Sequence, residues 1–189
     1  MNTVHTLQEY VVALRDAGIL TGCTVPEALL GRGVECLTYD TRTLRENALF
    51  ICKGAHFKEE YLRDALSHGA FAYVAEQQHD VDAPCILVSD IRYSLVVLGQ
   101  LFYDHVTDKL TSIGITGTKG KSTTAYYVRY ILNDWLRAQD RNECAILSSI
   151  DNYDGKVSEE SHITTPEVLE LYQHFENAHE SGISHLVME

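Results

Sequence analysis

The spacing of apolar residues along this 189-residue chain changes from segment to segment. Leu7 to Leu14 mixes polar and apolar positions as a short helix does, with Gly18 or Gly22 placed to end it. Leu37–Arg42 and Ala48–Cys52 read as two strands around a polar loop, and Lys53-Gly54-Ala55-His56 follows as another loop. Tyr61, Leu62, Ala65 and Leu66 mark a helix that Gly69 can stop. Phe71–Ala75 and Ile86–Val88 are strand-like runs divided by the polar stretch Gln77–Ala83, and Ile91, Leu95, Leu98 and Phe102 space out a further helix. Strands alternating with helices of this length predict parallel βαβ units in a three-layer α/β fold.

Tyr103–Lys109 is polar and lacks a helical pattern, so it is the expected linker between an α/β domain at 1–108 and a second at 109–189. The second opens with the apolar run Leu110–Ile115, expected as a buried strand. Ala125, Val128, Ile131, Leu132, Trp135 and Leu136 then fall on one helix face. Ala145–Leu147 predicts the next strand. Asp154-Gly155, between Asn152-Tyr153 and Lys156-Val157, predicts a hairpin turn. Thr165-Pro166-Glu167 predicts a helix start, with a capping hydroxyl, proline at the first helical position and an acid in the first turn. Val168, Leu169, Leu171, Tyr172 and Phe175 continue that helix until Gly182. Ile183–Glu189 is an apolar strand closing on an acid.

Composition narrows the possible functions. A hydrophobic share of 45% and a charged share of 22% are those of an ordinary globular protein. No apolar run reaches the roughly 18 residues of a membrane span, and Met1–His5 lacks the layout of a signal peptide. Cys23, Cys36, Cys52, Cys85 and Cys144 are odd in number, widely spaced and without a Cys-x-x-Cys pair. They predict reduced thiols in a cytoplasmic protein. The formal charge of −12 argues against a nucleic-acid partner. None of the histidines pairs with another at the i, i+4 spacing, so they read as solvated or locally hydrogen-bonded groups and not as metal ligands.

The candidate chemistry lies in Gly114-Ile115-Thr116-Gly117-Thr118-Lys119-Gly120-Lys121-Ser122-Thr123-Thr124, between the predicted strand and helix. Strand, glycine loop, Lys-Ser and helix form a phosphate loop, and this context predicts a bound nucleoside triphosphate. Glycines let backbone N–H groups turn toward phosphate oxygens, and the helix N-terminus adds partial positive charge. Gly117, Thr118, Lys119, Gly120, Lys121, Ser122 and Thr123 are the expected ATP-binding residues. Lys121 can reach the terminal phosphates, and the Ser122 hydroxyl suits the accompanying Mg²⁺. Glu189, at the end of a strand after a phosphate loop, occupies the usual place of the carboxylate that organises Mg²⁺.

Only Thr118 and Lys119 separate Gly117 from Gly120, two residues fewer than in the usual phosphate loop. This compact Gly-Thr-x-Gly-Lys-Ser-Thr form resembles the loop of the Mur ligases and of the related folylpolyglutamate synthetases, ATP-dependent enzymes that join an amine to a carboxylate through an acyl phosphate. The folate enzymes usually carry a glycine after the lysine, where this chain has Ser122; Mur ligases usually have asparagine where it has Lys119. Asp40-Thr41-Arg42, Leu49-Phe50 and Lys53-Gly54 are similar to the Asp-Ser-Arg … Leu-Phe … Lys-Gly region of Mur ligases. Thr164-Thr165-Pro166-Glu167 is similar to their Asn-Thr-Thr-Pro-Glu segment, and Met188-Glu189 to the start of their Glu-Val-Ser-Ser motif. Thr41 replaces serine but keeps the hydroxyl, and Ile163 stands where many members have asparagine.

The resemblance covers nearly all of the chain and is most specific to the tripeptide-forming branch. It implies a Rossmann-like N-terminal domain that binds the uridine diphosphate through Thr41, Arg42, Lys53 and Gly54, followed by the start of a P-loop ATPase-type central domain. Thr164 and Thr165 would meet the muramoyl part of the substrate. The implied reaction belongs to peptidoglycan synthesis, cell wall biogenesis and hence cell shape and division. ATP phosphorylates UDP-MurNAc-L-Ala-D-Glu, and L-lysine or meso-diaminopimelate displaces the phosphate. Lys121 would be the catalytic lysine, with Ser122 and Glu189 on Mg²⁺. The family's later histidine, modified lysine and C-terminal domain have no counterpart here, so this length alone is expected to be inactive in ligation and to leave apolar surface uncovered. The rivals are another Mur or folylpolyglutamate-type ligase and a non-catalytic ATP-binding module, which would hold ATP with no preference for a UDP-muramoyl peptide.

Overall fold

A computed structural model of the chain describes residues 3–54, 57–161 and 164–189. The expectations for Ala55, His56 and Ile163 lie outside the described residues. The chain divides into two units, Met1–Asp104 and His105–Glu189.

In the first unit, α1 (Leu7–Asp16), β1 (Leu20–Cys23) and α2 (Glu27–Leu30) precede β2 (Cys36–Thr38) and β3 (Ala48–Ile51). Then come α3 (Glu59–Ser67), β4 (Ala70–Ala75), β5 (Cys85–Val88) and α4 (Ile91–Phe102). The sheet order is β1-β5-β4-β3-β2; β2 to β5 run parallel, and β1 is antiparallel to β5. All residues of β3 and β4 are buried, which is why both read as unbroken apolar runs and not as alternating ones. Phe50, Tyr73 and Ala75 pack with Leu62 and Ala65 of α3. Their alternates Leu49, Ile51, Ala72 and Val74 point to the opposite face and are equally enclosed. The first predicted strand stops at Thr38. The Asp40 carboxylate accepts the Arg42 N–H at 2.9 Å and turns Thr41–Thr43 into a 3₁₀ turn, a local hydrogen bond that outcompetes the strand ladder.

The units part inside the expected linker, but that stretch is not free chain. Tyr103 and Val106 are buried, and Val106–Lys109 forms a 3₁₀ turn after two left-handed residues, Asp104 and His105.

In the second unit, β6 (Thr111–Gly114), α5 (Lys121–Arg137) and β7 (Ala145–Leu147) are followed by the hairpin β8 (Asp151–Tyr153) and β9 (Ser158–Glu160). Helix α6 (Val168–Glu180) and β10 (His185–Met188) complete it. The order is β6-β10-β7-β8-β9, so the last strand inserts between the first two, parallel to both. The β8–β9 turn falls at Asp154-Gly155 as the sequence predicts, with Gly155 at φ +90°. β6 is not the buried strand expected: it lies at the end of the order, and Thr111, Ser112 and Gly114 are exposed. On α5, only Ala125 and Leu136 are buried. Val128 and Leu132 pack partly against Ile113, Ile146 and Val187, while Ile131 and Trp135 stay exposed because they lie to one side of that narrow stripe. Helix α6 begins at Val168, three residues after Thr165. The residue before a proline is pushed out of the helical region, and the Thr165 hydroxyl is bound elsewhere.

Candidate functional site

The ends of β6 and β10 set the glycine loop in place, with the Ile115 N–H on the Met188 carbonyl at 2.8 Å. Gly117 and Gly120 have φ of +153° and +77°, values that side chains rarely tolerate, so both glycines are conformational requirements. Helix α5 starts at Lys121, with no side-chain cap and no acid in its first turn. Its leading N–H groups therefore have their partial positive charge uncompensated, as an anion site requires. Thr118, Lys119, Gly120 and Thr123 are exposed, and neither Lys119 nor Lys121 has a carboxylate partner among the described residues.

Beneath the loop, the Ser122 hydroxyl donates to Glu189 Oε2 at 3.1 Å. Glu189 is buried, and its backbone N–H reaches the Leu147 carbonyl at 3.0 Å, continuing the β10–β7 ladder. The Thr165 hydroxyl donates to the Glu189 carbonyl at 3.0 Å, while Thr164 is exposed one residue away. The structure thus brings Ser122, Glu189 and Thr165 together at the C-terminal edge of the parallel strands, the edge where open α/β sheets bind ligands. A hydroxyl and one carboxylate fit Mg²⁺, which is held by one or two carboxylates and takes its remaining oxygens from phosphates and water. No cluster of three metal-ligating His, Cys, Asp or Glu side chains occurs among the described residues, so an all-protein cage for a larger cation is not on offer there.

Sequence reasoning missed Ser149. Its N–H lies 3.0 Å from Glu189 Oε1 and its hydroxyl 3.1 Å from that of Ser122. The available signal was a Ser-Ser pair at the end of the β7 strand, next to the strand carrying the acid.

In the first unit, Thr41 and Arg42 lie on the 3₁₀ turn after β2, and Lys53 and Gly54 follow β3, its parallel neighbour. The Arg42 side chain is exposed and forked onto Asp40, whose carboxyl it holds below the ordinary range. Lys53 Nζ stands 4.4 Å over the Tyr39 ring, joining the two segments. A cavity of about 780 Å³ opens at the ends of β3, β4 and β5, lined by Lys53, Gly54, Phe57, Glu76, Asp90 and Arg92 among others. Lys53 and Gly54 line it; Thr41 and Arg42 do not. Its acidic side is already committed, because Asp90 accepts the Arg92 and Tyr93 N–H groups and Glu76 accepts that of Ile91. These carboxylates occupy the N-terminus of α4, so an anion entering the cavity has Lys53 and Arg92 as its cationic partners.

Residues 115–189 match the Mur ligase middle domain. The chain is 41% identical to the UDP-N-acetylmuramoyl-L-alanyl-D-glutamate–L-lysine ligase of Enterococcus faecalis, over 88% of this chain and 32% of that protein. It is 38% identical to the UDP-N-acetylmuramyl-tripeptide synthetase of Lactobacillus delbrueckii subsp. bulgaricus, over 97% of this chain and 36% of the relative. The fold is similar to that of a solved UDP-N-acetylmuramoyl-L-alanyl-D-glutamate–2,6-diaminopimelate ligase, with a TM-score of 0.70 at 18% identity over 99% of this chain and 36% of the other. The chain spans about a third of the length of the curated relatives it matches. A middle-domain match that begins within the glycine loop, together with relatives aligned over most of the chain, identifies residues 115–189 as part of a Mur ligase middle domain.

Proposed function

We propose that this chain supplies the ATP site and the uridine-nucleotide site of a ligase of peptidoglycan precursor synthesis that adds a diamino acid to UDP-MurNAc-L-Ala-D-Glu. One observation carries the reading: Ser122 and Glu189 converge under a glycine-rich loop, in a chain 41% identical to a ligase named for that substrate. The diamino acid in that relative's name is L-lysine. Placement in the cytoplasm belongs to the same proposal and is supported by the five free cysteines.

The chemistry is a phosphoryl transfer followed by an acyl transfer. A carboxylate oxygen of the D-Glu residue takes the γ-phosphoryl group of ATP, and ADP leaves. The amine of the diamino acid then attacks the acyl carbon, the C–O bond to phosphate breaks, and the nitrogen loses a proton to give the amide. Loop N–H groups from Gly117 to Gly120 and the start of α5 hold the phosphates, and Lys121 stabilises the charge on the transferring group. Ser122 and Glu189 would hold Mg²⁺, which would supply neutralisation of phosphate charge. In this proposal Thr164 and Thr165 take the muramoyl end, and residues 1–108 take the uridine end through Thr41, Arg42, Lys53 and Gly54, of which Lys53 and Gly54 line the cavity.

Titration calorimetry with this chain tests the reading. Mg-ATP and UDP-MurNAc-L-Ala-D-Glu should each bind, and Lys121→Ala should weaken ATP by about tenfold or more while leaving the second ligand and the melting temperature unchanged. ATP binding without any binding of UDP-MurNAc-L-Ala-D-Glu at millimolar concentration would establish the rival, a nucleotide module outside cell-wall synthesis. Unchanged ATP affinity in Lys121→Ala would remove the lysine from its assigned role.

A further inference from the structure

The turn between β7 and β8, Ser148–Asp151, is built more tightly than a surface connection needs. Ser148 is fully buried. Its hydroxyl accepts the N–H groups of Ile150 and Asp151, each at 3.1 Å, and lies 3.0 Å from the Asp151 carbonyl. The Asp151 carboxylate in turn takes a hydrogen bond from the Tyr126 hydroxyl of α5, the helix that the phosphate loop opens. The turn is therefore pinned from within by Ser148 and from outside by Tyr126, and Ser149 stands between these two anchors.

Ser149 uses that fixed position on the Glu189 carboxylate. Its N–H lies 3.0 Å and its hydroxyl 3.4 Å from Oε1, and the hydroxyl is also 3.1 Å from Ser122 Oγ. The two oxygens of Glu189 are thereby made unequal. Oε1 is engaged by Ser149, whereas Oε2 is left to the Ser122 hydroxyl at 3.1 Å. A carboxylate held in this way cannot rotate freely, so the metal need not immobilise it on binding.

We propose that Ser149 is a positioning residue: it fixes Glu189 so that Oε2 and the Ser122 hydroxyl converge on the divalent cation that accompanies the nucleotide. The inference rests on the ATP-binding reading above and adds a residue which that reading does not use. It separates Ser149 from a merely structural serine, because a structural role would affect the fold and nucleotide binding with or without metal. A positioning role affects the metal alone.

The test measures ADP binding to this chain across a Mg²⁺ series and in EDTA, for wild type, Ser149→Ala and Ser149→Thr. In Ser149→Ala the Mg²⁺ concentration for half-maximal enhancement of ADP binding should rise about tenfold, the low end for a lost outer-sphere partner because the backbone N–H remains. ADP affinity in EDTA should stay within about twofold of wild type, and Ser149→Thr should restore the Mg²⁺ dependence. An unchanged Mg²⁺ dependence in Ser149→Ala overturns the proposal, as does an equal loss with and without Mg²⁺ or a threonine variant that restores nothing. If the wild-type chain itself shows no Mg²⁺-dependent ADP binding, the ATP-site reading fails first and takes this one with it.

Discussion

Single residues decide whether this fold has a site. Lys121 and Ser122 follow Gly120 in sequence and so announce themselves, whereas Glu189 is an acid 67 positions further on that only the parallel β10–β6 pairing brings to the Ser122 hydroxyl. Ser149 carried no sequence signal of comparable strength, because a serine after a strand is usually an ordinary turn residue and its partner is set by tertiary pairing. The cysteines were legible as unpaired but not as to depth. Cys36, Cys52, Cys85 and Cys144 are buried, and burial raises each thiol above its ordinary value, Cys144 to about 11. Cys23 alone is exposed, on β1. Ellman's reagent at pH 8 should therefore titrate Cys23 rapidly in the native chain and all five thiols in guanidinium. Rapid labelling in a native Cys23→Ser variant would show that the core strands open readily.

At the scale of elements, the apolar runs of β3 and β4 and the Asp154-Gly155 turn match the structure, whereas the run at Leu110–Ile115 gives an exposed strand and the ends of elements shift. β3 and β4 follow from unbroken apolar runs buried on both faces, the β8–β9 hairpin from its Asp154-Gly155 turn, and α3 and α4 from helical spacing that buries Leu62 and Ala65, and Ile91, Leu95 and Leu98. What periodicity could not show is which side chains fasten one element to another. Asp154 looked like a hairpin residue; it is fully buried, takes the N–H groups of Lys156 and Val157, and anchors His174 and Asn177 of α6 at 2.7 and 2.9 Å. Helix α1 hides a similar device. Glu9 accepts the Thr6 N–H at 2.7 Å, and His5 reaches Glu9 at 3.1 Å through Nδ1 and Asp104 at 2.9 Å through Nε2. A carboxylate on each nitrogen favours the protonated ring. Burial alone would lower its pKa, but the bonds and charges of Glu9 and Asp104 outweigh it and raise the value above 6.5. The Thr6 N–H, then His5, hold Glu9 at about 2, and the Thr3 N–H and His5 lower Asp104.

The signs of these shifts define a pH window. A raised histidine stabilises fully below its unfolded value near 6.5 and loses that contribution as pH rises through its folded value; lowered carboxylates stabilise above their unfolded values near 4 and lose it on acidification. The clasp of α1 onto Asp104 is thus strongest between about pH 4.5 and 6.5. His5→Ala should cost on the order of 1 kcal/mol at pH 6, a modest amount because Glu9 is half-exposed, and the difference from wild type should shrink toward pH 8.5. Urea denaturation at pH 6 and 8.5 measures this. A difference that grows with pH would reverse the sign and with it the charged state assigned to His5.

For the whole molecule, two sheets that share no strand predict two folding units. The alternation of strands and helices made the α/β class legible, whereas the insertion of β10 between β6 and β7 was not, because strand order is a tertiary property. The chain contains a single tryptophan, Trp135 on α5, set edge-on to His185 at 5.6 Å, so its fluorescence reports the second unit, while far-UV circular dichroism reports both. A ligand that binds one folded unit at about 100 times its Kd stabilises that unit by about 2.7 kcal/mol. Mg-ADP should therefore move the urea midpoint seen by Trp135 upward and leave the remainder of the dichroism change in place. Under the proposed assignment of the uridine end to the first unit, UDP should move that remainder and leave the Trp135 midpoint unaltered. If UDP shifts the Trp135 transition as far as Mg-ADP does, the two units unfold as one cooperative block or the nucleotides share a site, and the assignment of the uridine end to the first unit falls.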